Sequence, residues 1–99
     1  MKYSLVFHRD VENDIHDSFT WYEGHRSGLG NDFILSLEAT LENIRRNPER
    51  FPNSVENTKK ALVFRFPFVI IYQILESKIL VIAVLHSSRN PQNYKERID

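Results

Sequence analysis

The stretch of sequence that decides the fold is FVIIYQILESKILVIAVL, residues 68–85. Residues 68–75 alternate with a period of two and predict a strand. One face of this strand would carry Phe68, Ile70, Tyr72 and Ile74. Residues 79–85 are apolar at every position, which is typical of a strand buried on both faces, so we expect it at the centre of a sheet. The polar residues 76–78 between them predict a short hairpin turn.

A further strand is predicted just upstream, where the period of two returns at residues 60–64. Pro67 follows it and cannot donate a hydrogen bond to a sheet, so it belongs in the connection between the two strands. Residues 48–57 contain two prolines together with Asn and Ser, and predict a loop. The second half of the chain is therefore expected to form a three-stranded meander, followed by a polar tail over residues 87–99.

The first half of the chain has the period of helices. Four apolar residues recur at steps of four, four and three, which places them on one side of a helix. They are Val11, Ile15, Phe19 and Tyr22. Asp10 is the expected N-cap, because its carboxylate can accept a hydrogen bond from a free amide of the first turn. Gly24, Gly28 and Gly30 follow, and a chain that reverses direction there gains from residues that tolerate a positive φ.

A second helix is predicted over residues 31–47, where Pro48 ends it. Its apolar stripe consists of Phe33, Leu37, Leu41 and Ile44. Two helices joined by a short glycine-rich turn should form an antiparallel hairpin. A short first strand is predicted over residues 2–7. The order β-α-α-β-β-β predicts an α+β fold, in which the N-terminal helix hairpin packs on one face of a small, mostly antiparallel sheet.

The length of 99 residues favours a single domain, residues 1–99. The chain contains no cysteine, which excludes disulfides, thiolate metal sites and a cysteine nucleophile. The N-terminal residues lack the apolar core of a signal peptide, and the longest apolar run is far shorter than a membrane span. We therefore expect a cytoplasmic protein with no membrane partner.

The charges balance overall but not along the chain. Thirteen Lys and Arg residues face thirteen Asp and Glu residues, which argues against a uniformly basic coat for nucleic acid. Residues 1–58 carry six basic and ten acidic groups, a balance of −4, whereas residues 59–99 carry seven basic and three acidic groups, a balance of +4. This asymmetry indicates a charged partner, or else reflects the preference of helices for glutamate.

The best candidate for chemistry is a cluster near the end of the central strand, made of Arg65, His86, Arg89 and Tyr94. Imidazole exchanges protons near neutral pH, arginine binds phosphate through two parallel hydrogen bonds, and tyrosine can stack on a base. These are the groups that a metal-free ribonuclease needs. In the alternative interpretation His86 only hydrogen-bonds the backbone at the end of its strand. Arg89 would then only pair with Glu96 or Asp99.

No cofactor or metal site is predicted. His8, His16 and His25 lack the spacing that places two ligands on one helix face. The glycines follow a helix rather than a strand, so they do not form a dinucleotide- or phosphate-binding loop. Trp21 and Tyr22 are expected to pack in the core or at its rim rather than to stack on bases.

Several short segments, spread over nearly the whole chain, match the pattern of a known family. They are Trp21-Tyr22, Gly28-Leu29-Gly30 with Phe33, Asn47-Pro48, Phe51-Pro52, and residues 65–72 and 83–91, with the sequences RFPFVIIY and AVLHSSRNP. Through this ordered set the chain resembles the ParE/RelE superfamily of toxins from type II toxin–antitoxin modules, also called plasmid stabilisation proteins. The resemblance implies a helix hairpin packed on a small curved sheet.

The two branches of this superfamily differ in their target. The Phe-Pro-Phe segment at 66–68 and the His-x-x-Arg-x-Pro segment at 86–91 are more similar to the ParE branch, which poisons DNA gyrase and is not a nuclease. Members of the RelE branch resemble ribosome-dependent mRNA endonucleases and are usually strongly basic, unlike this chain. In that alternative the resemblance implies Arg65, His86, Arg89 and Tyr94 as catalytic residues.

The resemblance thus implies a toxin that a cognate antitoxin neutralises, with gyrase as the leading target and the ribosome with its mRNA as the alternative. A non-toxic protein-binding domain of the same fold is the third hypothesis. The antitoxin is expected to form a hetero-oligomer with the toxin and to wrap it with a segment that folds on binding. This segment would anchor on the apolar surface of the helix hairpin or on an open sheet edge.

Overall fold

The computed structural model describes residues 2–98. Its elements are β1 (Ser4–Phe7), α1 (Val11–His25), α2 (Leu29–Arg46), β2 (Lys59–Leu62), β3 (Phe68–Leu75) and β4 (Lys78–His86), with short 3₁₀ helices at Pro48–Arg50 and Pro91–Arg97. The strands form a curved sheet in the order β1-β4-β3-β2, where β1 is parallel to β4 and the other neighbours are antiparallel. The predicted α+β fold is confirmed, and so is the central position of β4. None of the helices in residues 2–98 has the length and apolar character that a membrane crossing requires.

β4 is buried on both faces, as its apolar sequence predicts. A bulge shifts its register against β3 at Ile82, which stands opposite no residue of β3. The side chains under the helices are Ile79, Val81 and Val84. Those in a second cluster on the opposite face are Ile82, Ala83 and Leu85. A bulge of this kind adds twist and curvature to a sheet.

The helix hairpin covers one face of the sheet. The predicted stripe of α2 is buried: Phe33, Leu37, Leu41 and Ile44. The ring of Phe33 lies against those of Tyr22, Phe66 and Phe68, with centroid separations of 5.4, 5.4 and 5.0 Å. This aromatic cluster joins both helices to the turn between β2 and β3.

The opposite face of the sheet is partly covered by the 3₁₀ helix Pro91–Arg97, which we call the C-terminal segment. Tyr94 of this segment packs against the second apolar cluster, and so does Ile98, which directly follows the segment. Only a polar tail was predicted over these residues. Two apolar side chains spaced by four in a polar stretch give too weak a pattern to reveal that the segment lies on the sheet.

Several details near the element ends differ from the predictions. α2 begins at Leu29 rather than at residue 31, and β2 covers Lys59–Leu62 rather than residues 60–64. The strand ends early because the chain turns at Arg65, whose φ is 72°. Asp10 is the N-cap residue of α1, as predicted, but the predicted capping bond was wrong. Its carboxylate makes no capping bond, and its backbone N–H donates to Nδ1 of His8 at 3.1 Å.

The turn between the helices relies on a side chain from α1. Of the three glycines, Gly28 has a positive φ, 90°, whereas Gly24 and Gly30 lie within helices. Gly28 precedes α2 and has no side chain with which to cap it. Glu23 supplies the cap, because its carboxylate accepts hydrogen bonds from the N–H groups of Gly28 and Gly30, each at 3.0 Å. A negative charge at this end also suits the helix dipole.

Gly30→Ala is expected to lower the free energy of unfolding by about 1–3 kcal/mol, because overpacking displaces its neighbours. A Cβ atom there would lie 2.7 Å from Cε1 of Phe19 and 2.9 Å from Oε1 of Glu23, the capping atom. The matched control is Gly24→Ala, where a Cβ meets nothing within 4 Å. It should raise stability by up to about 1 kcal/mol, since alanine favours helix. Urea unfolding of both variants checks this, and equal effects would contradict it.

Tyr72→Phe tests a buried hydrogen bond and the pH dependence of the stability that this bond contributes. The Tyr72 hydroxyl donates to the carbonyl of Pro48 at 2.7 Å, and burial, with the charge of Glu49, raises its pKa well above the ordinary value. Removing the bond should cost about 1 kcal/mol at pH 7. The folded protein keeps this phenol protonated, whereas the unfolded chain ionises it near pH 10.

The stability contributed by Tyr72 is therefore complete below about pH 10 and is lost as the pH rises further. Urea unfolding between neutral pH and about pH 11 should show a steeper loss for the wild type than for Tyr72→Phe. Burial also raises the pKa of Tyr22, so the Tyr72→Phe variant should still lose some stability at high pH. Identical alkaline slopes for the two proteins would contradict this assignment.

Candidate functional site

A cavity of about 500 Å³ opens between α1 and the end of β4. Four aromatic side chains line it, namely Trp21, Tyr22, Phe68 and Tyr94. The polar side chains on its wall are Asp14, Asp17, Ser18, His86 and Arg89. The structure thus brings three of the four predicted site residues to one place, because β4 ends at His86 and the C-terminal segment then folds back over the sheet.

Arg65, the fourth predicted residue, lies outside the lining of this cavity. It occupies the turn between β2 and β3, is exposed, and has a φ of 72°, which is unfavourable for a residue with a side chain. The turn does adjoin the site, since the N–H of Ser87 donates to the carbonyl of Pro67 at 2.8 Å. Arg65 is thus at the same end of the sheet but not on the cavity wall.

The imidazole of His86 is held by the residue two positions on. The N–H of Ser88 donates to Nδ1 at 3.1 Å, and the Ser88 hydroxyl lies 2.8 Å from the same nitrogen. Because Nδ1 accepts a backbone hydrogen bond, the neutral ring carries its proton on Nε2. In this arrangement the neutral ring offers an N–H donor at Nε2 rather than a base. The predicted alternative, a histidine bonded to backbone at a strand end, describes this contact.

Arg89 and Tyr94 are joined by a hydrogen bond. Nη1 of Arg89 donates to the Tyr94 hydroxyl at 3.2 Å, and Arg89 remains exposed. Within residues 2–98 Arg89 makes no ion pair with Glu96, and Asp99 lies outside the described residues. The guanidinium therefore remains available for an anionic or carbonyl group of a bound molecule.

The contribution of α1 to this site was not predicted from the sequence. Asp14, Asp17, Ser18 and Trp21 line the cavity. Their spacing of three, one and three forms a second helical stripe beside the apolar one, and this is the signal that could have revealed them. Tyr22 lies in the aromatic cluster, whereas Trp21 is 59% exposed at the rim and stacks on His25, with ring centroids 3.8 Å apart.

The arrangement suits recognition of another molecule. Exposed or half-exposed rings supply rigid contact area, and Arg89 with the His86 Nε2–H supplies donors. Asp17 adds an acceptor on the opposite wall. In the part of the chain that the structure describes, no group of three or more His, Asp or Glu side chains is arranged to hold a metal ion.

Comparison with known protein families identifies the family to which the chain belongs. The model for the ParE toxin of the type II toxin–antitoxin system parDE matches residues 5–91, which is most of the chain. The chain belongs to the ParE toxin family. The predicted superfamily is therefore confirmed, together with the toxin and toxin–antitoxin class. Membership in this family implies a cognate antitoxin as partner.

Solved structures share this fold. A chain of the chromosomal ParDE system from P. aeruginosa is similar with a TM-score of 0.77 and 12% identity, over 86% of this chain and 96% of that one. A mutant of the E. coli toxin RelE in its free state is similar with a TM-score of 0.71 and 17% identity, over 100% of both chains. At these identities the likeness concerns the fold. Among curated proteins, none matches this chain.

Proposed function

We propose that this protein is a toxin that arrests growth in the cytoplasm by binding and poisoning DNA gyrase, and that a cognate antitoxin neutralises it. The observation that supports this most is the ParE family match over residues 5–91. Gyrase as the target is part of the proposal, because the family match identifies the toxin–antitoxin class and not the molecule that the toxin binds.

The geometry of the cavity supports binding rather than RNA cleavage. A ribonuclease needs a base that removes a proton from the attacking hydroxyl. Nδ1 of His86 is occupied by the N–H of Ser88, so the neutral ring offers a donor at Nε2. Trp21, Tyr94 and Arg89 are of the residue types that dominate protein–protein binding energies. We therefore assign the cavity and its rim to target recognition.

The antitoxin is proposed to anchor on other apolar surfaces of the domain. Leu35 of α2 is 64% exposed, and Leu62 on the edge strand β2 is 73% exposed. An extended antitoxin segment can reach both surfaces and can order as it binds. Toxin and antitoxin would then form a hetero-oligomer in which the toxin is inactive.

Induction of the gene in growing cells tests the proposed function. Growth should stop, plasmid DNA should lose negative supercoiling, and coexpression of the antitoxin should restore both. Arg89→Ala, an exposed position, should reduce the effect on plasmid topology without lowering the amount of folded protein. Growth arrest with unchanged plasmid topology would contradict gyrase as the target.

An RNA-cleaving enzyme is the second candidate, and two observations favour it. RelE shares the fold over the full length of both chains, and His86, Arg89 and Tyr94 converge on one cavity. Mapping of transcript ends after induction distinguishes the candidates. Cuts within translated codons that disappear in His86→Ala, but persist in the control His16→Ala on the exposed face of α1, would support cleavage. Intact transcripts would exclude it.

A non-toxic binding domain of the same fold is the third candidate. Its signature is unimpaired growth when the protein is overproduced without a partner. Only this candidate predicts normal growth, so the growth experiment separates it from the other two before any target is measured.

A further inference from the structure

An open edge of β4 lies beside the cavity. β1 is shorter than β4, so the end of β4 has no strand beside it on this side. The N–H of Val84 and the carbonyl of Ile82 face this edge. Oδ2 of Asp14 accepts a hydrogen bond from Val84 N–H at 3.0 Å, and Nη1 of Arg97 donates to Ile82 O at 3.1 Å. Two side chains thus satisfy the backbone groups that a longer β1 would have satisfied.

The same two side chains form an ion pair that is shielded from water. Nη1 of Arg97 lies 2.8 Å from Oδ2 of Asp14, and Nη2 lies 3.2 Å from Oδ1, so the contact is bidentate. The side chains are 15% and 14% exposed. Burial alone lowers the pKa of Arg97, but the hydrogen bond and charge of Asp14, with the charges of Asp10 and Tyr94, hold it above its ordinary value. Removing Arg97 would leave the shielded carboxylate of Asp14 without an ion-pair partner, and removing Asp14 would leave Arg97 only a longer contact of 3.9 Å with Asp10.

Arg97 also connects this pair to the wall of the cavity. Its Cζ lies 4.7 Å from the centroid of the Tyr94 ring, over the ring face. The Tyr94 hydroxyl in turn accepts the hydrogen bond from Arg89 at 3.2 Å. A continuous series of contacts therefore runs from Asp14 in α1, through Arg97 and Tyr94, to the exposed guanidinium of Arg89.

A second ion pair holds the same segment and provides a comparison. Nζ of Lys95 lies 3.2 Å from Oε2 of Glu56, and the two side chains are 50% and 51% exposed. Exposed pairs of this kind contribute little to stability, because water screens them. The two pairs thus differ in burial while they attach the same C-terminal segment.

We propose that the Asp14–Arg97 ion pair is a clamp that positions Tyr94 and Arg89 for binding of the target. Arg97 is a positioning residue, since it does not itself line the cavity. Without the clamp, Tyr94 and Arg89 would sample many orientations and would lose this freedom on binding, which lowers affinity. The inference rests on the proposed function for the identity of the target, whereas the positioning can be observed in the free protein.

Arg97→Gln tests the clamp directly. Amide hydrogen exchange over residues 92–97 and at Val84 should become about tenfold faster or more. The NMR signals of the Tyr94 ring and of the Arg89 Nε–H should move toward their values in a flexible peptide. Asp14→Asn, which retains an oxygen that can accept the Val84 N–H, should produce the same release of Tyr94. If Arg97→Gln fails to fold, Arg97→Lys replaces it in the same measurements, because lysine keeps the charge and loses the stacking over Tyr94.

Glu56→Gln is the matched control, because it removes the exposed pair to the same segment. It should change the amide exchange rates by less than about twofold and should leave the Tyr94 signals close to their wild-type positions. Binding to purified gyrase should weaken about tenfold in Arg97→Gln and stay unchanged in Glu56→Gln. Unchanged Tyr94 signals in Arg97→Gln, or release of the segment with no change in gyrase binding, would overturn the clamp. Failure of the wild type to bind gyrase would overturn the proposed target, while the NMR result still decides the positioning.

Discussion

Replacement of Phe33 by alanine is expected to lower the free energy of unfolding by about 3–5 kcal/mol. The side chain is 0% exposed, and its ring contacts Tyr22 of α1 as well as Phe66 and Phe68 near the start of β3. These neighbours belong to different elements, so they cannot all move inward to fill the cavity. A domain with a total stability of about 5–15 kcal/mol would lose a large part of it.

Phe64→Ala is the control for this prediction, because it makes the same chemical change at a side chain that is 70% exposed. It should alter stability by less than about 1 kcal/mol. Urea unfolding followed by circular dichroism measures both variants. Similar losses in the two would show that the aromatic cluster around Phe33 does not dominate the core.

Replacement of Trp21 by alanine is expected to weaken binding to gyrase about 30-fold, which corresponds to about 2 kcal/mol. Trp21 is 59% exposed at the rim of the cavity. Its ring stacks on His25, and Nδ1 of His25 lies 2.7 Å from the Trp21 carbonyl, so the pair is ordered before binding. A large, ordered ring gives contact area at a small entropic cost, which is why such residues dominate binding energies.

Leu62→Ala is the matched control for Trp21→Ala. Leu62 is 73% exposed but lies on β2, which contributes no residue to the lining of the cavity. Its replacement should change gyrase affinity by less than about threefold. Calorimetric titration of purified gyrase with each folded variant provides the measurement. A smaller loss for Trp21→Ala than for Leu62→Ala would place the target-binding surface elsewhere.

The fold was predictable because its signals are local and periodic. The uninterrupted apolar run of β4 indicated a strand covered on both faces, and the stripe of α2 indicated a helix packed on a sheet. The details that escaped prediction do not follow a periodic pattern. Coverage of the sheet by Tyr94 depends on contacts between residues far apart in the chain. Capping of α2 by Glu23 spans only five to seven residues, but it depends on the path of the turn rather than on a repeat in the sequence.

The grouping of the candidate site residues was predictable in part for the same reason. His86 ends β4, and Arg89 and Tyr94 follow it closely in sequence, so their proximity could be inferred. Arg65 lies in a different turn, and its orientation depends on a φ of 72°. The Asp14–Arg97 pair joins residues 83 positions apart in the chain, and neither residue type nor spacing marks it.

The measurement that tests the proposed function most directly is supercoiling of relaxed plasmid DNA by purified gyrase in the presence of this protein. We predict that the protein inhibits supercoiling, that equimolar antitoxin restores it, and that Trp21→Ala inhibits far less than Leu62→Ala. Gyrase activity that stays unchanged at protein concentrations sufficient to stop growth would contradict the assignment.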